Sequence, residues 1–144
     1  MKLIAVNPVY IIMAIVALAY ADVSGADWRV VGVSDTYQYY YNADSITHLP
    51  ENIVRVWNRA VFNQKGVDEL VKELGSRYQE ASTSVEVYEF NCLDKKARPI
   101  SLSYYSKEET LLGSSNTGTL QIQMDWAPIA SGTAIELVYR AVCK

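Results

Sequence analysis

Cys92 and Cys143 are the only cysteines of this chain, and His48 is its only histidine. A thiol can serve as nucleophile, metal ligand or half of a disulfide. A catalytic dyad or triad on His48 would need a serine or cysteine nucleophile beside it. His48 instead sits next to Pro50 in an expected loop, and both cysteines are better used in a crosslink. One histidine without clustered thiolates does not make a usual zinc site. Glu86 and Glu89 are three residues apart on a strand-like run and so fall on opposite faces, which defeats a paired-carboxylate reading. Glycine is sparse and no phosphate-binding loop motif occurs. The expectation is therefore no catalytic residue, no cofactor-binding residue and no metal ligand.

The remaining constellation is Arg55, Trp57 and Arg59, which share one face of an alternating run at spacings of about 7 Å. Each guanidinium can then approach the indole. Tryptophan and arginine are enriched in binding hot spots, so these three residues are the candidate binding face. The competing reading is an exposed sheet face whose long side chains cover apolar area. Tyr37, Tyr39, Tyr40 and Tyr41 read either as a sticky aromatic edge or as an ordinary sheet surface. Lys95, Lys96 and Arg98 read as a solvated hairpin tip or as a contact for an anionic polysaccharide.

The compartment follows from the first residues. Lys2 precedes an uninterrupted apolar stretch from Val9 to Ala19. That length is short for a membrane span, which needs about 20 residues, and suits a signal-peptide core. Small-residue sites follow at Ala19-Tyr20-Ala21 and Ser24-Gly25-Ala26, so residues 1–26 are expected to be removed by cleavage after Ala21 or Ala26. Residues 27–144 then make a single domain in the periplasm or at the cell surface. An even cysteine count in an oxidising compartment is most simply one disulfide, Cys92–Cys143. The net charge of −3 argues against nucleic-acid binding, which usually shows a basic face.

The elements that must position these residues are strands and two helices. Trp28–Asp35 and Tyr37–Tyr41 suit strands, and Asn52–Asn63 alternates most clearly, with Val54, Val56, Ala60 and Phe62 on one face. Val67, Leu70, Val71, Leu74 and Tyr78 have helical spacing. Thr83–Cys92 and Arg98–Tyr105 form a hairpin, 110–114 a short strand, and Leu120–Met124 an alternation that extends the sheet. Thr133-Ala134-Ile135-Glu136 has capping-box spacing before a final helix with Ile135, Val138, Ala141 and Val142 on its buried stripe. The order predicts an α+β domain with an antiparallel sheet of about six strands and a C-terminal helix packed on one face and disulfide-tethered.

The segments Ile53-Val54-Arg55-Val56-Trp57, Tyr88-Glu89-Phe90-Asn91-Cys92, Ile100–Tyr105 and Tyr139–Lys144 occur in the order seen in the surface-adhesin protein E family, which this chain resembles. Trp28 and the Asp44-Ser45-Ile46 turn also fit. The resemblance implies a six-stranded antiparallel sheet, a disulfide-held C-terminal helix, surface exposure and binding of extracellular-matrix proteins. The functional expectation is an exported, non-enzymatic envelope or surface domain that binds a protein or other macromolecule. The alternative is a periplasmic enzyme of the hydrolase class. Pairing of two Arg-Trp-Arg faces would give a homodimer.

Overall fold

The computed structural model describes residues 26–144. The expected signal segment before Ala26 lies outside the described residues. Strands β1 (Trp28–Val33), β2 (Tyr37–Asn42), β3 (Thr47–Leu49), β4 (Ile53–Phe62), β5 (Ala81–Asn91), β6 (Lys96–Ser106), β7 (Leu111–Ser114) and β8 (Ala127–Pro128) are joined by helices α1 (Gln64–Leu74) and α2 (Ala134–Val142). All pairings are antiparallel. The main path runs β1-β2-β4-β5-β6-β7, with β3 on β4 and β8 on β6. The α+β class, the antiparallel sheet and the C-terminal helix are those expected.

Alternation along β4 decides which side of the sheet is filled. Val54, Val56, Asn58 and Ala60 are buried, while Arg55 and Trp57 are exposed. The buried side joins Tyr39 and Tyr41 of β2, Phe90 of β5 and Ala97 of β6 to Val138 and Val142 of α2 in the main core. Burying the valine and phenylalanine side chains of this set stabilises the fold by roughly 1.5–3 kcal/mol each. A second cluster holds Leu70 of α1 with Tyr78 and Ala81, flanked by Phe62, Tyr104, Leu112 and Leu120. Both helices thus cover the inner face.

The cysteines close the arrangement. Cys92, one residue beyond β5, is bonded to Cys143 at the C-cap of α2, with Cα atoms 5.4 Å apart. Tyr139 of α2 adds a hydrogen bond from its hydroxyl to the Cys92 carbonyl at 3.1 Å. At the other end of α2, the Thr133 hydroxyl accepts from the Glu136 N–H at 3.2 Å. Glu136 reaches Gly132 N–H, at 3.3 Å, rather than that of Thr133, so the capping box closes one residue early.

Several expectations are corrected. His48 lies in β3, paired with Val54, and not in a loop. Helix α1 begins earlier than the stripe suggested, because the Asn63 side chain accepts from the Gly66 N–H at 2.9 Å and caps it. Gly75 ends α1 with φ of 104°, so Tyr78 belongs to a separate short turn. Residues 120–124 form no strand, and the sheet is extended instead by Ala127–Pro128.

Candidate docking face

Period-2 geometry places Arg55, Trp57 and Arg59 on the outer face of β4, covered by neither helix. Cross-strand register builds the rest of that face. Arg55 stands opposite Glu89 of β5, Trp57 opposite Val87 and Arg59 opposite Val85. On the other flank, Arg59 stands opposite Tyr40 of β2, which is itself opposite Val30 of β1. Glu89 in turn is opposite Arg98 of β6. Residues that face each other in register share a side of the sheet.

Two stacks frame the face. The Arg59 guanidinium lies 4.6 Å from the Trp28 ring centroid and 5.2 Å from that of Tyr40. Arg98 lies 4.6 Å from the ring of Trp126. Between them, Glu89 is only 3% exposed and takes one arginine on each carboxylate oxygen. Arg55 donates to Oε1 at 3.1 and 2.6 Å, and Arg98 to Oε2 at 3.0 and 2.8 Å. Burial works against the charge on Glu89, but these hydrogen bonds and the two nearby positive charges prevail and hold its carboxyl below the ordinary range.

Trp57 is 48% exposed, beside buried Val87. The expected approach of arginine to this indole does not occur. Arg55 is drawn to Glu89 and Arg59 to Trp28 and Tyr40, because a buried carboxylate and a two-ring stack hold a guanidinium better than one solvent-facing ring. Two arginines share the Glu89 carboxylate and a third, Arg59, has no acidic partner among the described residues, so this part of the face is locally positive on a chain of net charge −3. A groove of ≈ 430 Å³ beside it is lined by Trp28, Arg59, Thr83, Tyr105, Lys107 and Glu109.

The other candidates are dispersed. The four tyrosines form no edge, since β1 lies outside β2; Tyr39 and Tyr41 are core and Tyr40 is on the outer face. The basic turn is divided, with Lys95 3.5 Å from Glu136 and Arg98 on Glu89, while Lys96 stays exposed. Glu86 and Glu89 do lie on opposite faces. Among the described residues, no group of three or more His, Cys, Asp or Glu side chains could hold a metal, and no helix is long and apolar enough to cross a membrane.

Sequence reasoning missed Trp28, Tyr40, Glu89, Arg98 and Trp126 as parts of one surface. For Glu89 and Arg98 a signal existed, because the short turn from Asn91 to Lys96 fixes their register. Trp126 carries no such signal, lying outside any strand.

No curated protein and no solved structure matches the chain. The family model of Surface-adhesin protein E matches residues 28–144, which span every strand and helix described above and both cysteines. The chain belongs to the Surface-adhesin protein E family.

Proposed function

We propose that this protein is an exported envelope or surface domain that docks a macromolecule through its open sheet face, with Trp57 at the centre and Arg55 and Arg59 beside it. Family membership supports an adhesin-like role at the cell surface. The observation that carries the placement is a half-exposed tryptophan on a sheet face that neither helix covers, framed by arginines already fixed by stacking and by Glu89. Such preorganised side chains lose little freedom on binding. The excess of arginine favours an acidic partner surface.

The test is crosslinking and pull-down from whole cells with wild type and Trp57→Ala. Trp57→Ala is expected to reduce capture at least tenfold while shifting the melting temperature by less than about 2 °C, since an exposed side chain adds little to stability. Unfolding of Trp57→Ala would show that the indole is structural and sink the assignment. A second copy of the chain is the weaker partner, because two arginine-rich faces repel; sedimentation of the mature domain checks this. Processing after Ala21 or Ala26 belongs to the same reading, and an exported chain whose intact mass retains Met1 contradicts it. The enzyme alternative has no observation in its favour: His48 is exposed on β3, and among the described residues no serine hydrogen-bonds to it. Turnover of ester, peptide or glycoside substrates that vanishes in His48→Ala would restore it.

A further inference from the structure

The inner face holds a feature that docking leaves unused. Between the two hydrophobic clusters lies a cavity of ≈ 280 Å³ walled by Tyr37, Tyr39, Phe62, Tyr88 and Tyr104. Residues 133–135 at the start of α2 form its rim. Its one charged lining residue is Glu86. The Tyr39 hydroxyl donates to Glu86 Oε2 at 2.6 Å and that of Ser84 to Oε1 at 3.3 Å. Among the described residues no lysine or arginine lies within ion-pair distance of Glu86. A half-buried carboxylate without a counter-charge is costly, whereas an apolar residue of similar size would fill this space without that cost.

A second anomaly is adjacent. Asn58, directly opposite Glu86 in the β4–β5 register, is completely buried, and neither its amide oxygen nor its amide nitrogen has a hydrogen-bond partner. Native interiors rarely leave both ends of an amide unpaired. The wall thus presents a carboxylate and phenol oxygens beside aromatic rings and no positive side chain, while the unpaired Asn58 amide lies across the β4–β5 register from Glu86.

We propose that this cavity binds a primary alkylammonium group. The carboxylate supplies the counter-charge, the tyrosine and phenylalanine rings supply the cation-attracting surfaces, and the oxygens of Glu86 and the phenols accept the ammonium N–H donors. An anionic ligand would meet Glu86 without compensation. A neutral apolar one would leave the carboxylate unpaired. The volume lies below the roughly 300–1,000 Å³ of sites for drug-sized ligands, so the ligand is a small amine or one inserted side chain. Glu136, one residue beyond the rim, is engaged elsewhere and adds no second carboxylate to the cavity. Thr133 accepts from the Glu136 N–H, and Glu136 accepts from Gly132 and pairs outward with Lys95 and Arg140.

The test is a titration of the isotopically labelled mature domain with n-butylammonium chloride, followed by amide chemical shifts. n-Butanol and tetramethylammonium chloride at matched ionic strength are the comparisons. Saturable shifts centred on Tyr39, Glu86, Tyr88 and Tyr104 are expected, with n-butanol at least tenfold weaker and tetramethylammonium weaker than the primary amine. Glu86→Gln should weaken n-butylammonium at least tenfold. Ala134→Met, which narrows the rim without touching the carboxylate, should do the same. Equal binding of n-butanol, wild-type affinity in Glu86→Gln, or the absence of saturable shifts would overturn the proposal. Nα-acetyl-lysine methylamide separates the two sources of this chemistry: tighter binding than n-butylammonium assigns a lysine of a partner, and weaker binding assigns a free amine. Trp57→Ala should leave all of these affinities unchanged, so the docking face and the cavity stand or fall separately.

Discussion

Replacing Glu89 with Gln tests the electrostatic frame of the outer face. In wild type, four hydrogen bonds between 2.6 and 3.1 Å join one buried carboxylate to two guanidiniums. Removing one partner of a fully buried pair costs about 3–5 kcal/mol. That figure must be reduced, because the Arg55 and Arg98 side chains are 44% and 35% exposed and water screens the heads that Glu89 releases. A Gln Oε1 can still accept from one arginine, but its amide presents donors to the other. A loss of about 1–2 kcal/mol at neutral pH remains, which for a domain of this size is a fall of about 4–8 °C in melting temperature.

The pH dependence is the sharper part of that prediction. The folded state holds the Glu89 carboxyl below its ordinary range. Its stabilisation is therefore present above the unfolded pKa and is lost as pH falls through the folded value. Glu89→Gln has no such loss, so urea-denaturation curves of the two proteins should converge in acid. A gap that is absent at neutral pH, or unchanged in acid, refutes the reasoning.

Glu86 should behave with the opposite sign. Burial pushes its carboxyl up, against hydrogen bonds from Tyr39 and Ser84 that pull it down, while Tyr88 and Tyr104 also face it. Wild-type stability should fall as pH rises from the ordinary carboxylate range through the raised folded value, and Glu86→Gln, measured by thermal melts across that window, should not show the fall. Cys143→Ser should cost about 4 kcal/mol, the chain-entropy value for a crosslink 51 residues apart, and hydrogen exchange should show α2 opening first. Gly66→Ala, which in an exposed helix position would gain about 1 kcal/mol, should instead destabilise, because the added methyl meets the backbone carbonyl of Thr36. Urea unfolding at neutral pH reads that sign directly.

What the sequence determined by itself was local or covalent in origin. The period of two in residues 53–62 assigned Val56 inward and Trp57 outward, since side-chain direction along a strand alternates whatever lies beyond it. Helical spacing and the Thr133 cap located α2, and two cysteines allow only one intrachain pairing. Tertiary structure decided what depends on lateral register and on loops. Only the pairing of β4 with β2 and β5 moved Arg59 away from Trp57 and onto Tyr40, and Arg55 onto Glu89. Only the packing of β1 outside β2 turned a tyrosine run from a possible edge into core and face. Trp126 reached Arg98 through a segment without periodicity. The cavity around Glu86 arises where residues 133–135 meet side chains from four strands, distant in sequence. Such contacts form through long-range packing, and no spacing within a single segment encodes them.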